Sequence, residues 1–96
     1  MDTSSITAIR AASVRLAISA HNVANVNTPG YHAMRAMIEE QPTQLGVTVR
    51  AEQTDQPVDL GREMVDQLMT LRYAQANMKV MKVQDQLSGT LLNMWA

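Results

Sequence analysis

The sequence contains no cysteine and no phenylalanine, and it has only one tryptophan and two tyrosines in 96 residues. The absence of cysteine excludes a disulfide framework and a thiolate metal site. With so few aromatic rings, the core must be built from Ala, Val, Leu and Met, which are typical of helix–helix seams. The eight methionines agree with this interpretation. A chain of this length is expected to form one small domain, residues 1–96.

An excess of charge of one sign and long apolar runs are also missing. The net charge is −1, and the Lys and Arg residues are spread from Arg10 to Lys82 without a run. Nucleic acid is therefore not expected as a partner, because phosphate binding needs a positive excess on one face. No stretch approaches the roughly 18 apolar residues of a membrane span, so direct membrane insertion is not expected. The first five residues lack the pattern of a cleaved secretory signal.

Residues 4–27 are predicted to form a helix and the Asn-rich turn that closes it. Thr3, Ser4 or Ser5 is predicted to cap the start. Pro29 disfavours helical angles in the residue before it, and Pro29-Gly30 suits the centre of a type II turn. Apolar or small residues recur in the helix at alternating intervals of three and four, which predicts a heptad seam at Ile6, Ile9, Ser13, Leu16, Ala20 and Val23.

Residues 31–56 are predicted to form a β-hairpin or loop, because apolar and polar side chains alternate along two segments. Glu39 to Gln44 would be the turn between the two strands. A two-stranded hairpin is marginally stable alone, so it must lean on the helices or on another subunit. The alternating small or apolar positions are Met34, Ala36 and Ile38 in the first strand, and Leu45, Val47, Val49 and Ala51 in the second.

Residues 59–94 are predicted to form a second, longer helix capped by Asp59. Its apolar residues form two stripes, more than one partner helix can cover, and uncovered apolar surface usually marks an interaction site. The predicted fold is therefore mainly α, with two long antiparallel coiled-coil-type helices, a small β-hairpin insert and completion by oligomerisation. The stripes are Met64, Leu71, Met78, Met81, Asp85 and Leu92, and Val65, Met69, Ala76, Val80, Val83, Leu87 and Met94.

Two segments resemble bacterial flagellar rod and hook proteins. Residues 20–31, AHNVANVNTPGY, are similar to the pattern Asn-x-Ala-Asn-x-Asn-Thr-x-Gly-Tyr that closes the first helix in that family. Residues 58–65, VDLGREMV, with Arg72 to Asn77 further on, resemble its C-terminal helix. The chain departs from the family pattern at Tyr73, which lies one place early, at His32, where Lys is common, and in its short middle segment.

The resemblance implies a structural subunit of the bacterial flagellar basal body, in the periplasmic rod. Its terminal helices would pack into a coiled-coil tube with copies of itself and other rod subunits. It would leave the cell through the flagellar type III export apparatus without a cleaved signal peptide. No cofactor, no metal and no catalysis are implied. The alternative is a helical adaptor or chaperone-like binding module derived from rod proteins.

The predicted site is an assembly interface with no catalytic or metal-binding part. His21 and His32 match no zinc spacing, and no serine lies in a nucleophile-elbow context. The residues of the turn are Pro29 and Gly30. The predicted interface residues are Ile9, Leu16, Asn22, Val23, Asn25, Asn27, Met64, Leu71, Met78, Val83 and Leu92.

Asp85 interrupts an apolar stripe, and two interpretations stay open: a solvated edge, or a polar residue that fixes the register of a helix seam through Lys82, Arg10 or Arg15. Under the second interpretation, Asp85→Leu raises the melting temperature and broadens the distribution of oligomers. Calorimetry and sedimentation velocity of the two proteins measure both effects. An unchanged oligomer distribution would count against the register role.

Overall fold

A computed structural model of the chain, which describes residues 3–40 and 47–95, consists of two helices with a β-hairpin between them. Helix α1 spans Thr3–Ala24, strand β1 Met34–Glu40, strand β2 Val47–Gln53 and helix α2 Leu60–Trp95. The mainly helical fold with a small hairpin is confirmed. Since α1 begins at Thr3, Ser5 lies inside the helix, where its side chain is buried, and does not cap it.

The turn after α1 has the predicted conformation. The helix ends at Ala24, slightly earlier than the sequence suggested, and residues 25–27 continue as a hydrogen-bonded turn. Gly30 has a φ of +76°, and the amide of Tyr31 donates to the carbonyl of Thr28 over 3.2 Å. A type II turn requires this positive φ at its third residue, which glycine adopts without strain.

The seam between α1 and α2 is built from small and polar residues. Every apolar residue that is buried in the described part of the chain is an alanine. The buried side chains of α1 are Ser5, Ala8, Ala11, Ala12, Ser19 and Asn22, and those of α2 are Glu63, Thr70 and Ala74. Small side chains let the two helix backbones approach closely, so the larger apolar residues remain on the flanks.

The predicted heptad seam of α1 is therefore displaced by one residue. Ser13 and Ala20 are exposed, while Ile6, Ile9, Leu16 and Val23 are half-buried at the side of the seam. The buried positions Ser5, Ala8, Ala12, Ser19 and Asn22 follow the same alternation of three and four, with Arg15 in the gap. Small side chains and side chains that form hydrogen bonds, rather than the most hydrophobic ones, make up the face of α1 that packs against α2.

The hairpin is antiparallel and packs on α1. Its register pairs Met34 with Gln53 and Glu40 with Val47, and α1 contacts both strands. Thr54 closes the base of the hairpin, where its amide and its hydroxyl both donate to the carbonyl of Ala33, over 3.0 and 2.7 Å. The hairpin leans on a helix, as predicted.

The predicted turn of the hairpin, from Glu39 to Gln44, is partly wrong. Glu39 and Glu40 belong to β1, where Glu39 accepts a 2.8 Å hydrogen bond from Arg50 of β2 in an ion pair. Leu45 and the remaining turn residues 41–44 lie outside the described residues. The ladder thus continues to the pair of Glu40 with Val47, past the point where apolar alternation stops in β1.

Helix α2 carries most of the exposed apolar surface. It has 36 residues against 22 in α1, so at about 1.5 Å per residue it extends well past its partner. The molecule is accordingly elongated, 64 × 28 × 14 Å. The exposed large apolar residues of α2 are Leu60, Met64, Val65, Leu68, Met69, Leu71, Tyr73, Met78, Val80, Val83, Leu87, Leu91, Leu92 and Met94.

A seam of alanines buries little apolar area, so the isolated chain is expected to be only weakly stable. Helicity measured by circular dichroism, and the melting temperature, should both fall as the protein is diluted below about micromolar, because association supplies the missing burial. Full helicity and an unchanged cooperative melt on dilution would show that the domain completes its own core.

Candidate functional site

The side chain of Asn22 joins α1, β1 and α2 at one buried point. It is 1% exposed, and both its amide nitrogen and its carbonyl oxygen are fully used. Nδ2 donates to the carbonyl of Met34 over 2.8 Å and to Oε1 of Glu63 over 3.0 Å. Oδ1 accepts from the amide of Met34 and from the hydroxyl of Tyr31, both over 2.8 Å. A buried amide with all four hydrogen bonds made specifies one arrangement of its neighbours.

Glu63 is a buried carboxylate that is held by hydrogen bonds. It is 3% exposed, and it forms no ion pair with any residue in the described ranges. Ser19 donates to its Oε2 over 2.6 Å, and Gln67 donates to the Ser19 oxygen over 3.0 Å. Its place in the first turn of α2 also favours negative charge, because the helix dipole is positive there. We call Ser19, Asn22, Tyr31, Glu63 and Gln67 the Asn22 cluster.

Asp59 caps α2 as predicted. Its carboxylate accepts from the amide of Arg62 over 3.3 Å, and its carbonyl accepts the amide of Glu63 over 3.0 Å. This cap fixes where the first turn of α2 begins. It thereby places Glu63 opposite Ser19 and Asn22.

Tyr31 connects the Asn22 cluster to the turn. Its ring packs edge-on against His21 with centroids 5.6 Å apart. Partial burial, with a smaller contribution from the negative charge of Glu63, raises the pKa of Tyr31 above its ordinary value. The phenol therefore stays protonated and donates to Asn22 throughout the neutral range.

The three predicted interface asparagines have different positions. Asn22 is inside the subunit. Asn25 makes local bonds: its amide donates to the carbonyl of His21 over 2.9 Å and its oxygen accepts from the hydroxyl of Thr28 over 3.1 Å. Asn27 is exposed beside the turn. Within the Asn-rich motif, Asn22 thus holds the end of α1 to the hairpin and to α2, and Asn25 secures the turn that follows α1.

The predicted apolar interface residues lie along both helices and do not gather into one pocket. Met64, Leu71, Met78, Val83 and Leu92 are exposed on α2, whereas Ile9, Leu16 and Val23 are half-buried on α1. Asp85 is exposed in an open groove beside Ile9 and Met81, and it forms no ion pair among the described residues.

Sequence reasoning missed Ser19, Glu63 and Gln67. Ser19 and Asn22 are three residues apart on α1, and Glu63 and Gln67 are four apart on α2, so each pair shares a helix face. This spacing is the feature of the sequence that could have indicated two polar helix faces. Only the pairing of the helices shows that the two faces meet.

Neither a metal site nor a membrane-spanning helix is present among the described residues. Residues 3–40 and 47–95 contain no group of three His, Asp or Glu side chains arranged to hold a metal ion. Neither helix, over those residues, combines the length and the apolar character needed to cross a membrane.

The fold defines a helical subunit whose own contacts are small and polar and whose large apolar residues face outward, as in a component of an assembly. Residues 3–32 match the family described as "Flagella basal body rod protein", and residues 57–94 match "Flagellar basal body rod FlgEFG protein C-terminal". Together the matches span more than two thirds of the chain. The chain belongs to the flagellar basal-body rod and hook protein family. A comparison with individual curated proteins gave no significant match.

Family membership defines a structural role in the flagellar basal body, among other rod and basal-body subunits. The matched families are structural components and not enzymes. The first match ends just after Tyr31, and the second begins just before the Asp59 cap. The first match therefore contains Ser19, Asn22 and Tyr31 of the Asn22 cluster, and the second contains Glu63 and Gln67.

Truncation of Asn22 tests the importance of the cluster. Asn22→Ala should lower the free energy of unfolding by about 2–4 kcal/mol, because Met34 and the buried Glu63 lose hydrogen-bond partners. Urea unfolding followed by circular dichroism measures the difference. The matched control, Asn27→Ala at an exposed site, should stay within about 0.5 kcal/mol of the parent. Equal effects of the two substitutions would contradict the role given to Asn22.

Proposed function

We propose that this chain is an axial building block of the flagellar rod, which polymerises through α1 and α2 and serves motility. The observation that carries the proposal is the outward position of the large apolar residues of α2. Leu92 is 71% exposed and Met94 is 77% exposed. Side chains of this size are costly to leave in water, and neighbouring subunits would remove them from it.

The apolar residues of α2 fall on two flanks of the helix. At 100° per residue, the stripe through Met64, Leu71 and Met78 lies on one side of the seam with α1. The stripe through Val65 and Val80 lies on the other side. One further helix could cover one flank only, so the proposal requires neighbours on both sides of α2, as in a tube of packed helices.

The Asn22 cluster suits this role, because it lets the subunit keep its shape without using its large apolar residues. Hydrogen bonds are directional, so the cluster holds α1, α2 and the hairpin in one arrangement. The apolar stripes then remain available for contacts between subunits. Methionine adapts to irregular surfaces, which suits non-identical neighbours.

The proposal includes export through the flagellar type III apparatus without a cleaved signal peptide, followed by assembly in the periplasmic rod. A subunit with weak stability on its own would be easy to export unfolded and would become stable on assembly. Its partners would be further copies of itself and other rod subunits.

Quantitative mass spectrometry of purified basal bodies from the source organism tests this function. The expected result is the presence of the chain at a copy number comparable with that of other rod components. Absence from basal bodies, with the chain found in the cytoplasm of cells that build flagella, would overturn the proposal and favour the adaptor or chaperone-like alternative.

A single substitution tests whether the apolar stripe mediates assembly. Leu92→Asp should leave the circular dichroism spectrum of the dilute, unassociated protein equal to that of the parent at the same concentration. It should reduce the copies of the chain in basal bodies and the swimming of the cells, because a carboxylate cannot be buried against an apolar neighbour. Asn93→Asp adds the same charge at the adjacent exposed position and serves as the control. Normal incorporation of the Leu92→Asp protein would exclude this stripe from the interface.

A further inference from the structure

The outer edge of β1 is the side that faces away from β2. At Met34, the backbone groups on this edge are already hydrogen-bonded by the Asn22 side chain. At the base of the hairpin, the C=O of Ala33 accepts the N–H of Thr54 and the N–H of Ala33 donates to the C=O of Gln56, so both groups of Ala33 point toward β2 and the residues that follow it. Because the ladder of an antiparallel pair alternates, the backbone groups of Met34, Ala36 and Ile38 point away from β2. The amide side chain of Asn22 bonds both the N–H and the C=O of Met34, as the backbone of an added strand would.

Beyond Met34 this edge is open. Among the described residues, no group accepts from or donates to the outward N–H and C=O of Ala36 or Ile38. Both residues line a cavity of about 230 Å³ that separates the edge from the first turns of α2. Ile38 is 54% exposed, so the cavity is accessible from outside. Unpaired strand edges of this kind bind extended segments.

The cavity is lined by three arginines and two acidic residues, an excess of one positive charge. Arg15 of α1 and Arg35 of β1 line it, both half-buried, and neither forms an ion pair with a residue in the described ranges. Arg62 lines it too, but it lies 4.0 Å from Asp66. Glu63 and Asp66 are the two acidic residues of the lining, and the Glu63 carboxylate accepts hydrogen bonds from Ser19 and Asn22.

We infer that the outer edge of β1 binds an extended, carboxylate-bearing segment of a neighbouring rod subunit. The inference rests on the proposed function. The backbone of the segment pairs with Ala36 and Ile38, continuing the interaction that Asn22 makes with Met34. Its carboxylate lies between Arg15 and Arg35, whose planar guanidinium groups bind carboxylates through paired N–H donors. The hairpin thereby gives the rod a second contact, separate from the helix stripes.

Proline substitutions on the two outer edges of the hairpin test the proposed contact without disturbing the hydrogen bonds between β1 and β2. Ala36→Pro removes an outward N–H and blocks strand addition, and it leaves the ladder with β2 intact because that N–H is not part of it. Ala51 lies directly opposite Ala36 in the register, so Ala51→Pro makes the same change on the outer edge of β2. Circular dichroism of both proteins checks the fold.

Arginine substitution provides a second test that does not depend on the backbone. The double variant Arg15→Gln, Arg35→Gln removes the charges that line the cavity. Arg10→Gln, Arg72→Gln removes the same number of charges from exposed positions on the two helices, neither of which lines the cavity. Each protein replaces the native chain in the source bacterium, and its copy number in purified basal bodies is measured by quantitative mass spectrometry.

The copy number of the Ala36→Pro protein and of the Arg15→Gln, Arg35→Gln protein should fall at least about tenfold, with the two controls near the native value. Incorporation of the Ala36→Pro protein equal to that of the Ala51→Pro protein would overturn the inference while the proposed function stands. If Ala36→Pro fails to fold, the arginine pair decides, and equal incorporation of the two arginine variants overturns the inference. Absence of the native chain from basal bodies would overturn both proposals together.

Discussion

Four hydrogen bonds of the buried Asn22 amide join the two helices and the hairpin. One buried side chain satisfies the backbone of Met34, the carboxylate of Glu63 and the hydroxyl of Tyr31. These partners come from the hairpin, from α2 and from the turn after α1. Removal of the amide would take one hydrogen bond from the buried Glu63 carboxylate, which would keep only that from Ser19, and would leave the part-buried N–H and C=O of Met34 without partners. This costs more than the loss of an average contact.

The Asn22 cluster lies between α1 and α2, and its presence there keeps large apolar side chains out of the seam between the helices. The helices must approach closely for Ser19 and Asn22 to reach Glu63, and only small side chains such as Ala8, Ala12 and Ala74 fit between them. Large apolar side chains are therefore left on the flanks of α2. Internal hydrogen bonding thus determines the shape of the subunit, while hydrophobic burial is available for contacts with its neighbours.

The sequence predicted most of the fold but not the composition of its seam. The two helices, the strands, the Asp59 cap and the type II turn at Pro29-Gly30 follow from local rules of spacing and backbone conformation. The seam of α1 was misplaced by one residue because the series through Ile9 and the series through Ala12 have the same heptad spacing. Hydrophobicity favoured the first series, whereas packing against Glu63 selected the second.

Local sequence patterns are sufficient to predict the helices and strands, the family motifs at the two ends and the excess of apolar surface on the second helix. Those properties depend on residues close together in the chain. Which faces of α1 and α2 meet follows from the packed fold alone, because Ser19 and Glu63 are 44 residues apart and neither residue type marks a contact in the sequence. The packed fold also determines that β1 keeps an open edge beside Arg15 and Arg35, since that juxtaposition exists only after the hairpin has packed on α1.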